Sequence, residues 1–149
     1  MGMSYTREFP GWAEQVREAR IWADQVMAVH SGYAIPDDTA AAAVLCLSEA
    51  VTNSLRYTAS GRGGVFQVTI KLDQRRVTME VDDEGCPAGG TLPFIRPLTP
   101  MAQHGRGLAL IDHFADSWAP LAHPRTGVTF TLTWSTSHAR STAITPRIA

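Results

Sequence analysis

The segment VFQVTIKLD, residues 65–73, alternates apolar and polar side chains, and RRVTMEVDD, residues 75–83, does the same directly after it. Strict alternation marks a strand with one face buried and the other wet. Joined through Asp73-Gln74, the two read as a β-hairpin. A sheet started this way must cover its apolar face with another layer, and the residues before it supply the cover. Between Trp12 and about His30, the residues Val16, Ala19, Ala23, Val26 and Met27 recur at helical spacing, with Glu14, Arg17, Glu18 and Asp24 on the other side. Ser31-Gly32 ends that helix. Pro36-Asp37-Asp38 opens a second one, its acidic side chains suited to the positive helix start. It runs to about Tyr57, where Ser60-Gly61-Arg62-Gly63-Gly64 breaks the chain.

Ser4 to Phe9 reads as a strand closed by Pro10-Gly11, Gly105 to about Ala115 as a short helix, and Ser117 to Ala122 with Gly127 to Trp134 as a closing strand pair. The order β-α-α-β-β-loop-α-β-β predicts an α+β fold: a two-layer α/β sandwich with a mixed, mainly antiparallel sheet and helices on one face. One domain over residues 4–134 accounts for most of the 149 residues, and the Ser/Thr-rich stretch 135–149 reads as a flexible tail. Residues 86–104 hold Pro87, Gly89, Gly90, Pro93, Pro97 and Pro100. That is too irregular for an element and too long for a routine connection, so the segment reads as functional or mobile.

A net charge of −1 gives no electrostatic reason to expect nucleic acid or an anionic membrane as partner. No apolar run approaches the length of a membrane span. Two cysteines, Cys46 and Cys86, make no disulfide framework, and a reducing cytoplasm is the simplest setting. Lys71 is the single lysine, so an anion site must rely on arginine, backbone N–H groups or a metal ion.

The second helix carries Glu49 and Asn53 four residues apart among Ala, Val and Leu. At 100° per residue, Val44, Leu47, Val51 and Leu55 form a stripe for the sheet. The two polar groups fall about 40° from each other and nearly opposite that stripe. Alone, such a pair describes a solvated helix face. Three further signals accompany it. Asp83 ends the second hairpin strand, with Gly85 two residues on. A carboxylate there can accept from an exocyclic amine such as adenine's, and a glycine beside it lets a base approach the backbone. In HGRGLALIDHF, Gly105 and Gly107 flank Arg106 where loop becomes helix. Free N–H groups at a helix start suit phosphate. His104, just before, either approaches the phosphates or sits at the tip of the loop. In GVTFTLTW, Gly127 and Thr129 open the last strand, and the Thr129 hydroxyl is a candidate for holding a base.

Taken in order, Glu49-x-x-x-Asn53, Asp83-x-Gly85, Gly105-Arg106-Gly107-Leu108 and Gly127-x-Thr129 resemble the ATP-binding superfamily of gyrase, histidine kinases and mismatch-repair ATPases. The phrases LSEAVTNSLRY, VDDEG and HGRGLALI look within it like the small anti-sigma-factor serine kinases. The resemblance implies the sandwich fold of that superfamily, with ATP between helix and lid and residues 86–104 as the lid. It implies Mg²⁺ held through Asn53, adenine read by Asp83 beside Gly85, and phosphates near His104, Gly105, Arg106, Gly107 and Leu108. It implies Glu49 as the general base for a serine or threonine hydroxyl of a protein substrate, or for a water molecule. Expected partners are a sigma factor and an antagonist protein, with homodimerisation and no direct nucleic acid or membrane contact. Pro87 stands where relatives often have a second glycine after Asp-x-Gly, and Tyr57 where many have histidine. Two other readings remain: a non-catalytic, ATP-responsive binding module, and a detached histidine-kinase catalytic domain. The second is disfavoured because no helical hairpin with a phospho-accepting histidine precedes the first strand.

Overall fold

A computed structural model of the chain describes residues 2–29, 34–85 and 108–135. In chain order these form β1 (Met3–Pro10), α1 (Gln15–Val29), α2 (Asp37–Tyr57), a 3-10 turn (Ala59–Gly61), β2 (Val65–Leu72) and β3 (Arg76–Asp83). A third helix, α3, over residues 108–114, precedes β4 (Ser117–Pro120) and β5 (Thr126–Thr133). The strands make one five-stranded sheet in the order β1-β2-β3-β5-β4. All four pairings are antiparallel, so the parallel component allowed for by a mixed sheet does not occur among the described residues.

The alternation seen in the sequence sorts the two faces as expected. Phe66, Val68, Ile70 and Leu72 of β2 and Val77, Met79 and Val81 of β3 are buried under the helices. Ala19, Ala23, Val26 and Met27 of α1 and Ala43, Val44, Cys46, Leu47, Ala50 and Val51 of α2 close the same core. Phe9 anchors one end, stacked on Phe66 at 5.2 Å between ring centroids and edge-on to Trp22 at 5.9 Å. The face away from the helices is polar. Thr6 meets Thr69, Thr78 meets Thr131, and Glu80 lies between Lys71 and Arg125. The helices therefore cover one face only, as a two-layer sandwich requires.

Pro36 caps α2 in an extended conformation, and Asp37 and Asp38 fill its first turn. The buried arc of α2 is wider than the stripe read from the sequence. Cys46, Ala50 and Ser54 are buried along with Val44, Leu47 and Val51, while Leu55 is only half-buried. Asn53 lies about 20° around the helix from Cys46 and about 60° from Ala50. The Glu49–Asn53 pair thus flanks the buried arc instead of opposing it, and both residues are half-buried. Small residues hid this: Ala, Cys and Ser do not announce burial, yet here they let α2 sit close to its neighbours.

Candidate nucleotide site

At its C-terminal half, α2 passes over the ends of β3 and β5, and α3 closes the third side. The space between them is a cleft of about 290 Å³, at the small end of the range for ligand sites. Ala50, Leu108, Ile111 and Val128 give it apolar walls, and Asn53, Ser54, Tyr57, Thr58, Asp83 and Thr126 give it polar ones. Two glycines, Gly85 and Gly127, complete the lining.

Asp83 is the best-fixed group in the cleft. Its Oδ2 accepts from the Ser54 hydroxyl at 2.8 Å. Its Oδ1 accepts from the backbone N–H of Gly85 at 2.9 Å and from the Thr126 hydroxyl at 2.7 Å. A carboxylate offers about four lone-pair sites. Three are engaged, which holds the plane of the group and leaves one direction for an outside donor. Gly85 has φ +65°, a conformation that suits glycine, and an added Cβ would press on Thr126 at 3.2 Å. Gly127 has φ +128°, and a Cβ there would fall 1.8 Å from the carbonyl oxygen of Val81. Only glycine lets β5 start so close to β3.

Behind Asp83, the hydroxyls of Thr58 and Ser60 fix this end of the sheet. Thr58 Oγ1 donates to the Ser54 carbonyl at 2.6 Å and accepts from the N–H of Ser60 at 3.1 Å. Ser60, fully buried, donates to the Val65 carbonyl at 2.6 Å and accepts from the N–H of Glu84 at 3.0 Å. The N–H of Ala59 donates to the Gly85 carbonyl at 2.7 Å. Ser54, Ser60 and Thr126 were all missed in the sequence. Of these, Ser54 carried a signal, being adjacent to Asn53 and on the Asp83 side of the helix.

The structure brings Asn53, Asp83, Gly85 and Leu108 into one cleft. His104, Gly105, Arg106 and Gly107, the expected lid over residues 86–104, and the tail beyond Ser135 lie outside the described residues. Thr129 is not among the lining residues. It is paired with Glu80, so it points to the helix-free face with that residue, by the two-residue alternation of a strand. Thr126, three positions earlier and opposite Asp83, faces the cleft. The hydroxyl that the cleft does present at this strand end is that of Thr126, not Thr129.

Glu49 also falls outside the cleft. It borders a neighbouring groove between α1 and α2 together with Arg20, Asp24, Ala41, Val44, Leu45 and Ser48. Its carboxylate is close enough to Cys46 to matter there: burial first, and then the charge of Glu49, push the Cys46 thiol up to about 11.

The donors present fit an adenine nucleotide better than a metal on its own. The apolar walls suit the two faces of a flat base, and the oriented carboxylate suits an exocyclic amine. Among the described residues no three His, Cys, Asp or Glu side chains converge as a metal cage. A single amide oxygen, that of Asn53, fits Mg²⁺, which keeps most of its waters and shares substrate phosphates. No helix among the described residues is long and apolar enough to cross a membrane.

Comparison with known proteins agrees with this geometry. Residues 44–56 of α2, the Asp83-Gly85 strand end and the closing strand all lie within residues 9–134, which match the family model described as "Histidine kinase-like ATPase domain". A shorter stretch of 77 residues is 29% identical to the "Anti-sigma F factor" of Clostridium acetobutylicum, covering 49% of this chain and 54% of that protein. The match thus spans about half the length of that relative. With most of the chain matched and the cleft built from the matched segment, the protein belongs to the histidine kinase-like ATPase domain family.

Proposed function

We propose that the protein is an ATP-binding anti-sigma factor and serine/threonine protein kinase of the cytoplasm, acting on an antagonist protein in a partner-switching pair. The observation that carries the nucleotide half is the placement of Asn53 and the triply hydrogen-bonded Asp83 in one apolar-walled cleft. The likeness to an anti-sigma F factor supports the partner half.

On this reading the base lies between Ala50 and Ile111 on one side and Val128 on the other, with its amine donating to Asp83. Asn53 would hold Mg²⁺ through its amide oxygen, and the ion, when bound, neutralises charge across the phosphates. Glu49, about 6 Å along the helix axis from Asn53, would accept the proton of a serine or threonine hydroxyl offered from outside the cleft. Phosphoryl transfer asks the protein mainly for position and charge, and a helix with both groups on adjacent turns provides position. A sigma factor and the antagonist would compete for the exposed helical layer, and homodimerisation is part of the same proposal.

Titrating ATP with Mg²⁺ into wild type, Asn53→Ala and Asp83→Asn tests the nucleotide half. Metal-dependent affinity should vanish in the first variant and preference for adenine in the second. Wild type that shows no binding by calorimetry and by a fluorescent analogue ends the proposal. Transfer of γ-phosphate to a co-encoded antagonist candidate tests the kinase half. One observation favours a second reading, a nucleotide-responsive module without catalysis: Glu49 borders the α1–α2 groove and not the cleft. Glu49→Ala separates the two. A kinase loses transfer and keeps ATP affinity, whereas a module keeps its partner regulation unchanged.

A further inference from the structure

The turn that leads into β5 touches the end of β3 on both faces of the sheet at once. On the helix-free face, Arg125 Nε donates to Asp82 Oδ2 at 2.9 Å and its Nη2 donates to Glu80 Oε1 at 2.8 Å. On the cleft face, the next residue, Thr126, donates to Asp83 Oδ1 at 2.7 Å and lies 2.8 Å from the Asp83 carbonyl oxygen. Thr126 has one proton for the two acceptors, and the charged carboxylate is the stronger. Alternation along the strands forces this division: Glu80 and Asp82 point one way, Asp83 the other. One dipeptide therefore grips the strand that carries the nucleotide carboxylate from outside and inside together.

The contact is not forced by packing. Thr126 and Arg125 are both exposed, so neither is held in place by burial. Gly127, directly after, removes the Cβ that would keep β5 from approaching Val81, so the dipeptide is delivered at hydrogen-bonding distance. What the pair fixes is the orientation of Asp83. Without Thr126, Oδ1 keeps only the N–H of Gly85 and Oδ2 only the Ser54 hydroxyl, so the carboxylate turns about its last bond over a wider range. A turned carboxylate still carries its charge but no longer aims a lone pair at the plane of a bound base.

We propose that Arg125 and Thr126 form a two-sided clasp that sets base specificity, acting as positioning residues for Asp83. The inference rests on the adenine-nucleotide reading of the cleft. It assigns discrimination between a base with an exocyclic amine and one with a carbonyl at the same position to residues that need not touch the base.

ATP and ITP present that difference on the same triphosphate. Their dissociation constants are measured with Mg²⁺ by calorimetry for wild type, Thr126→Val, Thr126→Ser and Arg125→Gln, each checked for a native melting transition. The ATP:ITP preference should fall about fivefold in Thr126→Val, where one charge-assisted hydrogen bond is lost. It should fall about twofold in Arg125→Gln, where an exposed ion pair is lost. Thr126→Ser should keep the wild-type ratio. A residue that merely holds the fold would weaken both nucleotides equally and leave the ratio alone. The wild-type ratio in either Thr126→Val or Arg125→Gln overturns the clasp while leaving the adenine reading intact. Equal binding of ATP and ITP by wild type overturns the adenine reading itself, and the clasp with it.

Discussion

Replacing Ser60 by alanine removes a single oxygen from a site with no exposure, and the structure says what that oxygen does. Strands β2 and β3 pair from Leu72↔Val77 to Gln67↔Asp82. Continuing the same register would set Val65 opposite Glu84 and join them directly. The Ser60 hydroxyl sits in that place. It donates to the Val65 carbonyl and accepts from the Glu84 N–H, so it bridges the two strands and holds them apart. The gap lets residues 83–85 bend toward α2, where Ala59 catches the Gly85 carbonyl. In Ser60→Ala, two part-buried backbone groups, the carbonyl of Val65 and the N–H of Glu84, lose their partner at once. A fully buried polar group left unsatisfied costs about 1–3 kcal/mol; because water reaches part of this pair, the two together should cost about 2–4 kcal/mol. For a chain of this size that is a fall of roughly 5–15 °C in melting temperature. Urea unfolding followed by far-UV circular dichroism reads the difference through its midpoint, with an unchanged slope. A loss below about 0.5 kcal/mol at constant slope would refute the reasoning, because the strands would then close on each other without help.

Gly127→Ala should be among the most damaging single substitutions, costing more than about 3 kcal/mol, because its Cβ would lie inside the van der Waals radius of the Val81 carbonyl and its φ is +128°; a melting transition within a few degrees of wild type counts against it. Glu80 gives a pH dependence. Burial alone would raise its pKa, but hydrogen bonds from Arg125 and Lys71 bring it below the ordinary 4.5. A depressed carboxylate contributes stability above its unfolded value and loses it as pH falls through the folded one. The stability advantage of wild type over Glu80→Gln should therefore be full at pH 7 and shrink below about pH 4.5; an advantage that grows in acid would reverse the assignment. Cys46 is fully buried, with a thiol pushed up to about 11, so in a Cys86→Ser background it should resist iodoacetamide at pH 8 when folded and react readily in urea. Rapid labelling of the native protein would show that α2 opens easily.

The layer structure was legible because apolar periodicity carries it. The two-residue period of 65–83 and the helical period of 16–27 each report which side is buried, and the structure buries those sides. Of the site, Asn53 and Asp83-x-Gly85 were legible because their spacing sits on well-defined elements. Ser60 was not, and no periodic signal could reveal it: a serine after a helix looks like any loop residue. Its role comes from the register of two strands that pair only after the chain has turned back. The Gly127-x-Thr129 spacing at the start of the closing strand points to Thr129 and gives no signal for Thr126. The face a strand residue takes depends on where pairing starts, however, and Thr126 opposite Asp83 sets that start.

The width of the buried arc on α2 has a further consequence. A helix that packed only through Val44, Leu47, Val51 and Leu55 would leave Glu49 and Asn53 side by side in solvent, free to serve one ligand. Burial of Cys46, Ala50 and Ser54 turns the helix so that its polar edge meets two different hollows. Asn53 borders the one lined by Asp83 and Ile111, and Glu49 borders the one lined by Arg20 and Leu45. Four residues of helix then form the wall between a place that suits a nucleotide and a place open to another protein. If Glu49 is the base of the proposed transfer, the hydroxyl it serves must arrive from the α1 side. On the kinase proposal, group transfer would then depend on the partner, since neither hollow contains both the Asn53 amide and the Glu49 carboxylate.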